Sequence, residues 1–86
     1  MTNHVTLDQI KQNVKETLAK HLNREIESIL DTDDLFENLG VDSTGIIEIL
    51  LDLEERCGVE FDVEELDPSH LKTVDSFSSY ILQIKH

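Results

Sequence analysis

The sequence predicts an all-α fold, a small four-helix bundle with three main helices and a short third one, in a single domain spanning residues 1–86. In three segments the apolar residues recur every third or fourth position, which is the period of an amphipathic helix, and no segment alternates as a strand does. Only three Gly and one Pro interrupt the chain, and 38% of it is hydrophobic. An 86-residue chain of this composition therefore has one core and no room for a second domain.

The first helix is predicted over about 7–22. Thr6 is a good N-cap residue, and Gln9 stands three positions later, as a capping box requires. An apolar residue then recurs at every fourth position, so these residues lie in a stripe along one face of the helix: Ile10, Val14, Leu18 and Leu22.

The second helix is predicted over about 43–57. Asp42 and Ser43 are both favoured N-cap residues, and Gly58 suits the left-handed position that ends a helix. At 3.6 residues per turn, the core-facing stripe consists of Ile46, Ile49, Leu50, Leu53 and Cys57. We therefore read Cys57 as a small buried side chain.

The last main helix begins after Thr73, a potential cap, and its apolar stripe contains Val74, Phe77, Ile81 and Ile84. Before it, Asp67-Pro68 is predicted to open the short third helix near 67–70, because Pro is tolerated at a first helical position. The long connection 23–42 is expected to pack on the core through its apolar residues, which are Ile26, Ile29, Leu35, Phe36 and Leu39.

The charge of the chain excludes several functions. The formal net charge is −12, and residues 25–67 hold sixteen of the nineteen acidic residues with one basic residue. Such a surface repels nucleic acid and anionic membranes, and favours a basic partner. No apolar run is longer than Ile49–Leu51, no signal peptide is visible, and a lone cysteine suits a reducing, cytoplasmic location.

The second helix has a further apolar side. Ile47 and Leu51 fall outside the core stripe, on the side that carries Ser43, and Glu48, Glu54 and Glu55 flank them. A small apolar patch with a charged rim is typical of a docking face. Alternatively, another helix or the long loop covers these two side chains.

Ser43 is not predicted to be a catalytic nucleophile. No G-x-S-x-G string surrounds it, and no histidine lies near it in the sequence. Its hydroxyl has two remaining uses, as an N-cap or as the attachment point of an anionic group, which a helix N-terminus stabilises. The acids between Asp31 and Phe36 lack the Gly that a calcium loop needs, and no metal site is predicted.

The string Leu39-Gly40-Val41-Asp42-Ser43, followed by Glu48 and Glu54-Glu55, resembles the acyl carrier protein superfamily over nearly the whole chain. The resemblance implies a non-catalytic, monomeric carrier. Ser43, next to Asp42, would receive 4′-phosphopantetheine from coenzyme A through a phosphopantetheinyl transferase. The thiol of that arm would take an acyl or aminoacyl group from a loading enzyme and deliver it to a synthase or transferase with a basic surface. The residues that fall where family members contact partner enzymes are Ile47, Glu48, Leu51, Glu54 and Glu55.

The sequence departs from the fatty-acid carriers of that family at two positions. Thr44 stands where Leu is typical, and Gly45 stands where a better helix former is usual. An Asp-Ser-x-Gly string is more similar to D-alanyl carrier proteins and to free-standing carriers of specialised biosynthetic pathways. We expect a specialised carrier, with two alternatives: a D-alanyl carrier for cell-wall modification, and an acidic protein–protein adaptor in which Ser43 is only a helix cap.

Overall fold

The computed structural model describes residues 6–62, 64, 66 and 68–84. Three α-helices form within these residues: α1 (Leu7–Leu22), α2 (Ser43–Cys57) and α3 (Val74–Ile84). Two 3₁₀ helices lie between them, at Ile26–Ser28 and Pro68–Leu71. The all-α prediction is confirmed, but the expected short helix is a single 3₁₀ turn, so a four-helix bundle is not established. Asp67, expected to open that turn, lies outside the described residues.

The helix ends follow the predicted capping chemistry. Thr6 and Gln9 form the reciprocal capping box of α1. Gly58 ends α2 with a φ of 68°, a conformation in which a residue with a Cβ is strained. Thr73 caps α3, because its Oγ1 accepts from the backbone N–H of Ser76 at 3.1 Å. Local sequence therefore fixes where each helix begins or ends.

The predicted stripes form most of the core. All five predicted core residues of α2 are buried, whereas Leu22 and Ile84, at the ends of their stripes, are half-buried. Six of the described buried residues were not in the predicted set: Thr17, Val41, Val59, Phe61, Leu71 and Ser78. Phe61 and Phe77 lie with ring centroids 5.9 Å apart, so the segment after α2 packs onto α3.

The long connection packs on the core through three of its five predicted apolar residues, Ile29, Leu35 and Leu39, whereas Ile26 is half-buried and Phe36 is exposed. The backbone N–H of Leu35 donates to the carbonyl of Lys72 at 3.0 Å, and Leu35 is fully buried. The prediction that Phe36 is buried is wrong, since 41% of it is exposed. The Asp34 carboxylate accepts from the N–H groups of Phe36 and Glu37, and this tight turn leaves the Phe36 ring outside the core.

Contacts between charged side chains show how α1 and α2 pack against each other. Asp52 of α2 pairs with Lys20 and His21 of α1, and Arg56 approaches Glu16, so the two helices run antiparallel. The last turn of α1 therefore lies beside the middle of α2. No helix in the described part of the chain is both long and apolar enough to cross a bilayer.

Candidate functional site

The first turn of α2 is held by Asp42 and depends on Gly45. Asp42 is the N-cap, and its Oδ1 accepts from the backbone N–H of Gly45 at 2.5 Å. A Cβ at position 45 would lie 2.9 Å from that oxygen, closer than such contacts normally come. Glycine therefore gives the cap the space that its carboxylate occupies, which explains a residue that is otherwise unfavourable in a helix.

Ser43 is the first residue of α2 and is exposed. Of the two uses considered for its hydroxyl, the helix cap is excluded, because Asp42 has that role. Within the described residues, neither the Ser43 hydroxyl nor the backbone N–H groups of Ser43 and Thr44 have a hydrogen-bond partner. An anion esterified to Ser43 would meet free N–H groups and the positive end of the helix dipole. The site thus suits a phosphodiester.

An exposed ridge begins at Ser43 and follows α2 at intervals of four residues. Its next members are Ile47, which is 43% exposed, and Leu51, which is 58% exposed. Glu55, also exposed, completes it. Residues four apart lie one above another on a helix, so the apolar side chains form a short strip directly behind the serine. The prediction that these two side chains point outward is confirmed over the alternative that they are covered.

The acidic residues of α2 separate into two groups. Glu48 and Glu55 are exposed and have no ion pair or hydrogen bond to the part of the chain that the structure describes. Glu54 is half-buried, and its Oε2 accepts from the Phe61 backbone N–H at 2.8 Å, holding the segment that follows α2. Glu48 and Glu55 are therefore the acids that remain available for a partner, and a docking role for Glu54 stays a prediction.

Asp52, like Glu54, has a structural role, because it holds α1 and α2 together. Its carboxylate lies 3.2 Å from His21 Nε2 and 3.3 Å from Arg56 Nε. Burial by itself raises the pKa of Asp52. The hydrogen bonds from His21 and Arg56, with the charge of Lys20, outweigh that effect and leave the pKa below the ordinary 3.8. Asp52 is thus ionised at neutral pH and structural.

A groove lies beside Ser43 that the sequence analysis did not identify. It has a volume of about 290 Å³ and opens between the last turn of α1 and the first turn of α2. The residues on either side of the serine, Asp42 and Thr44, both line it. Gly45 lines the groove and contributes no side chain to it, but only the packing of α1 shows that a groove results.

Comparisons with known proteins agree with this site. Residues 12–81 match the family described as the phosphopantetheine attachment site. The chain is 34% identical to an acyl carrier protein of Exiguobacterium sibiricum over 77 residues, which cover 90% of this chain and 95% of that protein. It is 33% identical to an acyl carrier protein of Rickettsia bellii over 79 residues, covering 92% of this chain and 90% of that protein. An acyl carrier protein of Buchnera aphidicola is 31% identical over 75 residues, which cover 87% of this chain and 92% of that protein.

Proposed function

The chain belongs to the acyl carrier protein family, whose members are carriers and not enzymes, and we propose that Ser43 bears its covalent 4′-phosphopantetheine. One observation carries the assignment: Ser43 is the exposed first residue of α2, with a free hydroxyl among the described residues. The neighbouring Asp42 already caps the helix, so nothing in the fold requires the serine hydroxyl. Ser43 also lies within the family match.

The attachment step moves one group onto Ser43. A phosphopantetheinyl transferase would form a bond between Ser43 Oγ and the phosphorus next to the pantetheine of coenzyme A. The pyrophosphate bond breaks, adenosine 3′,5′-bisphosphate leaves, and the hydroxyl proton passes to a base. The attached arm supplies the thiol that holds an acyl group as a thioester. The chain's own residues position it: the start of α2 orients the serine, and the helix dipole stabilises the phosphodiester.

The ridge behind Ser43 is the proposed docking face for partner enzymes. Ile47 and Leu51 provide the apolar contact, and Glu48 and Glu55 provide the charged rim. Their unpaired carboxylates would attract basic surfaces and raise the association rate. A small patch with a charged rim gives weak, brief contacts, which suits a carrier that visits several enzymes in turn. In this proposal Glu54 acts on the same face by holding the segment after α2 in place.

The cargo is proposed to belong to a specialised biosynthetic pathway rather than to general fatty-acid synthesis. Two residues support this, since Thr44 and Gly45 depart from the pattern of fatty-acid carriers directly after the serine. The Asp-Ser-x-Gly string also supports a second candidate, a D-alanyl carrier. Loading the phosphopantetheinylated protein with acyl and aminoacyl donors, including D-alanine, through their activating enzymes and weighing each product separates the two.

Incubation with coenzyme A and a broad-specificity transferase tests the attachment site. We expect the intact mass to rise by one phosphopantetheine group in the wild type and not in Ser43→Ala. That variant should stay folded, because Asp42 provides the cap. Ser79→Ala, which removes another exposed hydroxyl, is the matched control and should be modified normally. Modification of Ser43→Ala would refute the assignment.

A further inference from the structure

Three of the four aromatic residues of the chain meet in one part of the fold: Phe61, Phe77 and Tyr80. The centroid of the Phe61 ring lies 5.9 Å from that of Phe77 and 6.3 Å from that of Tyr80. The His70 ring stacks on Tyr80, with 4.4 Å between the two centroids. These four side chains form a continuous set of ring contacts, which we call the aromatic cluster.

The aromatic cluster joins three parts of the fold. Phe61 belongs to the segment after α2, His70 to the second 3₁₀ turn, and Phe77 and Tyr80 to α3. The Phe61 backbone is fastened to α2, because its N–H donates to Glu54 Oε2 at 2.8 Å. Phe77 is fully buried, and only 9% of Phe61 is exposed. Large rings therefore fill the interior between the last part of α2 and α3.

The core side of α2 is filled as well. Ser43 begins this helix, so a cargo on its arm would meet the core-facing stripe of α2 if it entered the fold. Ile49 and Leu53 are fully buried, and Leu50 is nearly so. These side chains belong to the same hydrophobic core as Phe77. Protein interiors are packed about as densely as organic crystals, so an alkyl chain could enter here only by displacing side chains.

The outer side of Phe61 is unsuited to an alkyl chain. A depression of about 480 Å³ lies there, and its described lining consists of Phe61 with Glu60, Asp62 and Glu64. All three acidic residues are exposed. An alkyl chain in this depression would remove water from the carboxylates, which is unfavourable for an ion. A polar group would instead find hydrogen-bond acceptors and water.

We propose that the aromatic cluster closes the interior to the cargo, so that this carrier holds a short or polar acyl or aminoacyl group outside the fold. The inference rests on Ser43 as the attachment site, and it narrows the cargo class of the proposed function. A long alkyl chain held outside keeps its apolar surface in water, so a longer chain gains no stabilisation from the protein. Phe77 is the residue that determines this specificity, because it is the largest of the fully buried side chains and belongs to the cluster.

Melting temperatures of loaded carriers test the closed interior. A broad-specificity transferase supplied with acetyl- or octanoyl-coenzyme A gives the two loaded forms. In the wild type we expect both forms to melt at the same temperature. In Phe77→Ala the chain can occupy the space that the ring vacates, and the octanoyl form should melt at least about 4–8 °C above the acetyl form, the shift expected from burying one or two methylene groups in a domain of this size. Ile81→Ala, at a fully buried position of α3 outside the cluster, is the matched control and should show no such difference.

The outcomes separate this inference from the proposed function. Intact mass first shows that the loaded arm is attached, and circular dichroism shows whether each variant is folded. A wild-type octanoyl form that melts above the acetyl form overturns the closed interior and leaves the attachment site standing. A folded Phe77→Ala whose two forms melt together overturns the role of Phe77. If Phe77→Ala does not fold, Phe77→Leu removes less volume and should change the result in the same direction, and the wild-type comparison decides by itself. A chain that gains no mass overturns the proposed function and this inference together.

Discussion

Replacing Gly45 with Ala should reveal how the helix cap and the glycine depend on each other. Gly→Ala inside a helix normally stabilises a protein by about 0.5–1 kcal/mol. Here the new Cβ would lie 2.9 Å from Asp42 Oδ1, and the carboxylate must move to accommodate it. Loss of an Asp N-cap costs about 0.5–2 kcal/mol. The two effects oppose each other, so Gly45→Ala should be close to neutral or destabilising in the wild-type chain.

Removing the Asp42 cap should make the same Gly45→Ala substitution stabilising. In an Asp42→Ala background no carboxylate occupies the space, and Gly45→Ala should stabilise the protein by about 0.5–1 kcal/mol. The double-mutant cycle therefore has an expected coupling free energy between positions 42 and 45 of about 0.5–2 kcal/mol, the size of the cap. Urea denaturation followed by circular dichroism gives the four free energies of unfolding, provided that the m-values agree.

A control at the neighbouring position makes the cycle specific. Thr44→Ala changes an exposed residue that makes no hydrogen bond to the Asp42 side chain, so it should add to Asp42→Ala without coupling. Additivity of Gly45→Ala and Asp42→Ala within about 0.5 kcal/mol would contradict our account, because the glycine would then be unrelated to the cap.

Three further predictions concern α2 and the long connection. Leu53 is fully buried and Leu51 is 58% exposed. In urea denaturation, Leu53→Ala should therefore lower the free energy of unfolding by about 2–5 kcal/mol and Leu51→Ala by less than about 1 kcal/mol. Equal losses would contradict the exposed ridge. Charge reversal of Glu48 and Glu55 to Lys should slow arm transfer by the phosphopantetheinyl transferase and flatten the salt dependence of its rate. The circular dichroism spectrum should not change. Unchanged transfer kinetics would leave these acids without a docking role. Asp31→Asn should lower the melting temperature at neutral pH. Hydrogen bonds from Lys15 and then Lys11 hold the pKa of Asp31 below the ordinary 3.8, so its stabilisation is present above that pH and is lost as the pH falls through the lowered value. A melting-temperature difference between wild type and variant that persists in strong acid would refute the ion-pair explanation.

The helices could be predicted from the sequence because their signals are local. The Thr6–Gln9 box, the position of Gly58 and the 3.6-residue period of α2 act within a few residues of each other, and each was confirmed. The outward direction of Ile47 and Leu51 follows from the same period. Helix phase alone therefore identified the exposed ridge before any tertiary contact was known.

Features that depend on contacts distant in sequence could not be predicted. Phe36 is apolar and adjacent to buried Leu35, but the Asp34 turn and the backbone bond from Leu35 to Lys72 decide which of the two enters the core. Glu54 reads as a surface acid, yet it holds the Phe61 backbone, seven residues away. The choice of Asp42 over Ser43 as the cap is a local contact, but both residues are favoured caps, so the sequence left it open until the structure showed the Asp42 carboxylate beside Gly45.

Fragmentation mass spectrometry of the modified peptide tests the central claim most directly. Trypsin would release residues 25–56 as one peptide, because no Lys or Arg lies between Arg24 and Arg56. This peptide holds four hydroxyl residues: Ser28, Thr32, Ser43 and Thr44. Our account predicts that every fragment containing Ser43 carries the phosphopantetheine mass, and that fragments ending at Asp42 or beginning at Thr44 do not. The mass appearing on Thr44, or on any residue other than Ser43, would contradict it.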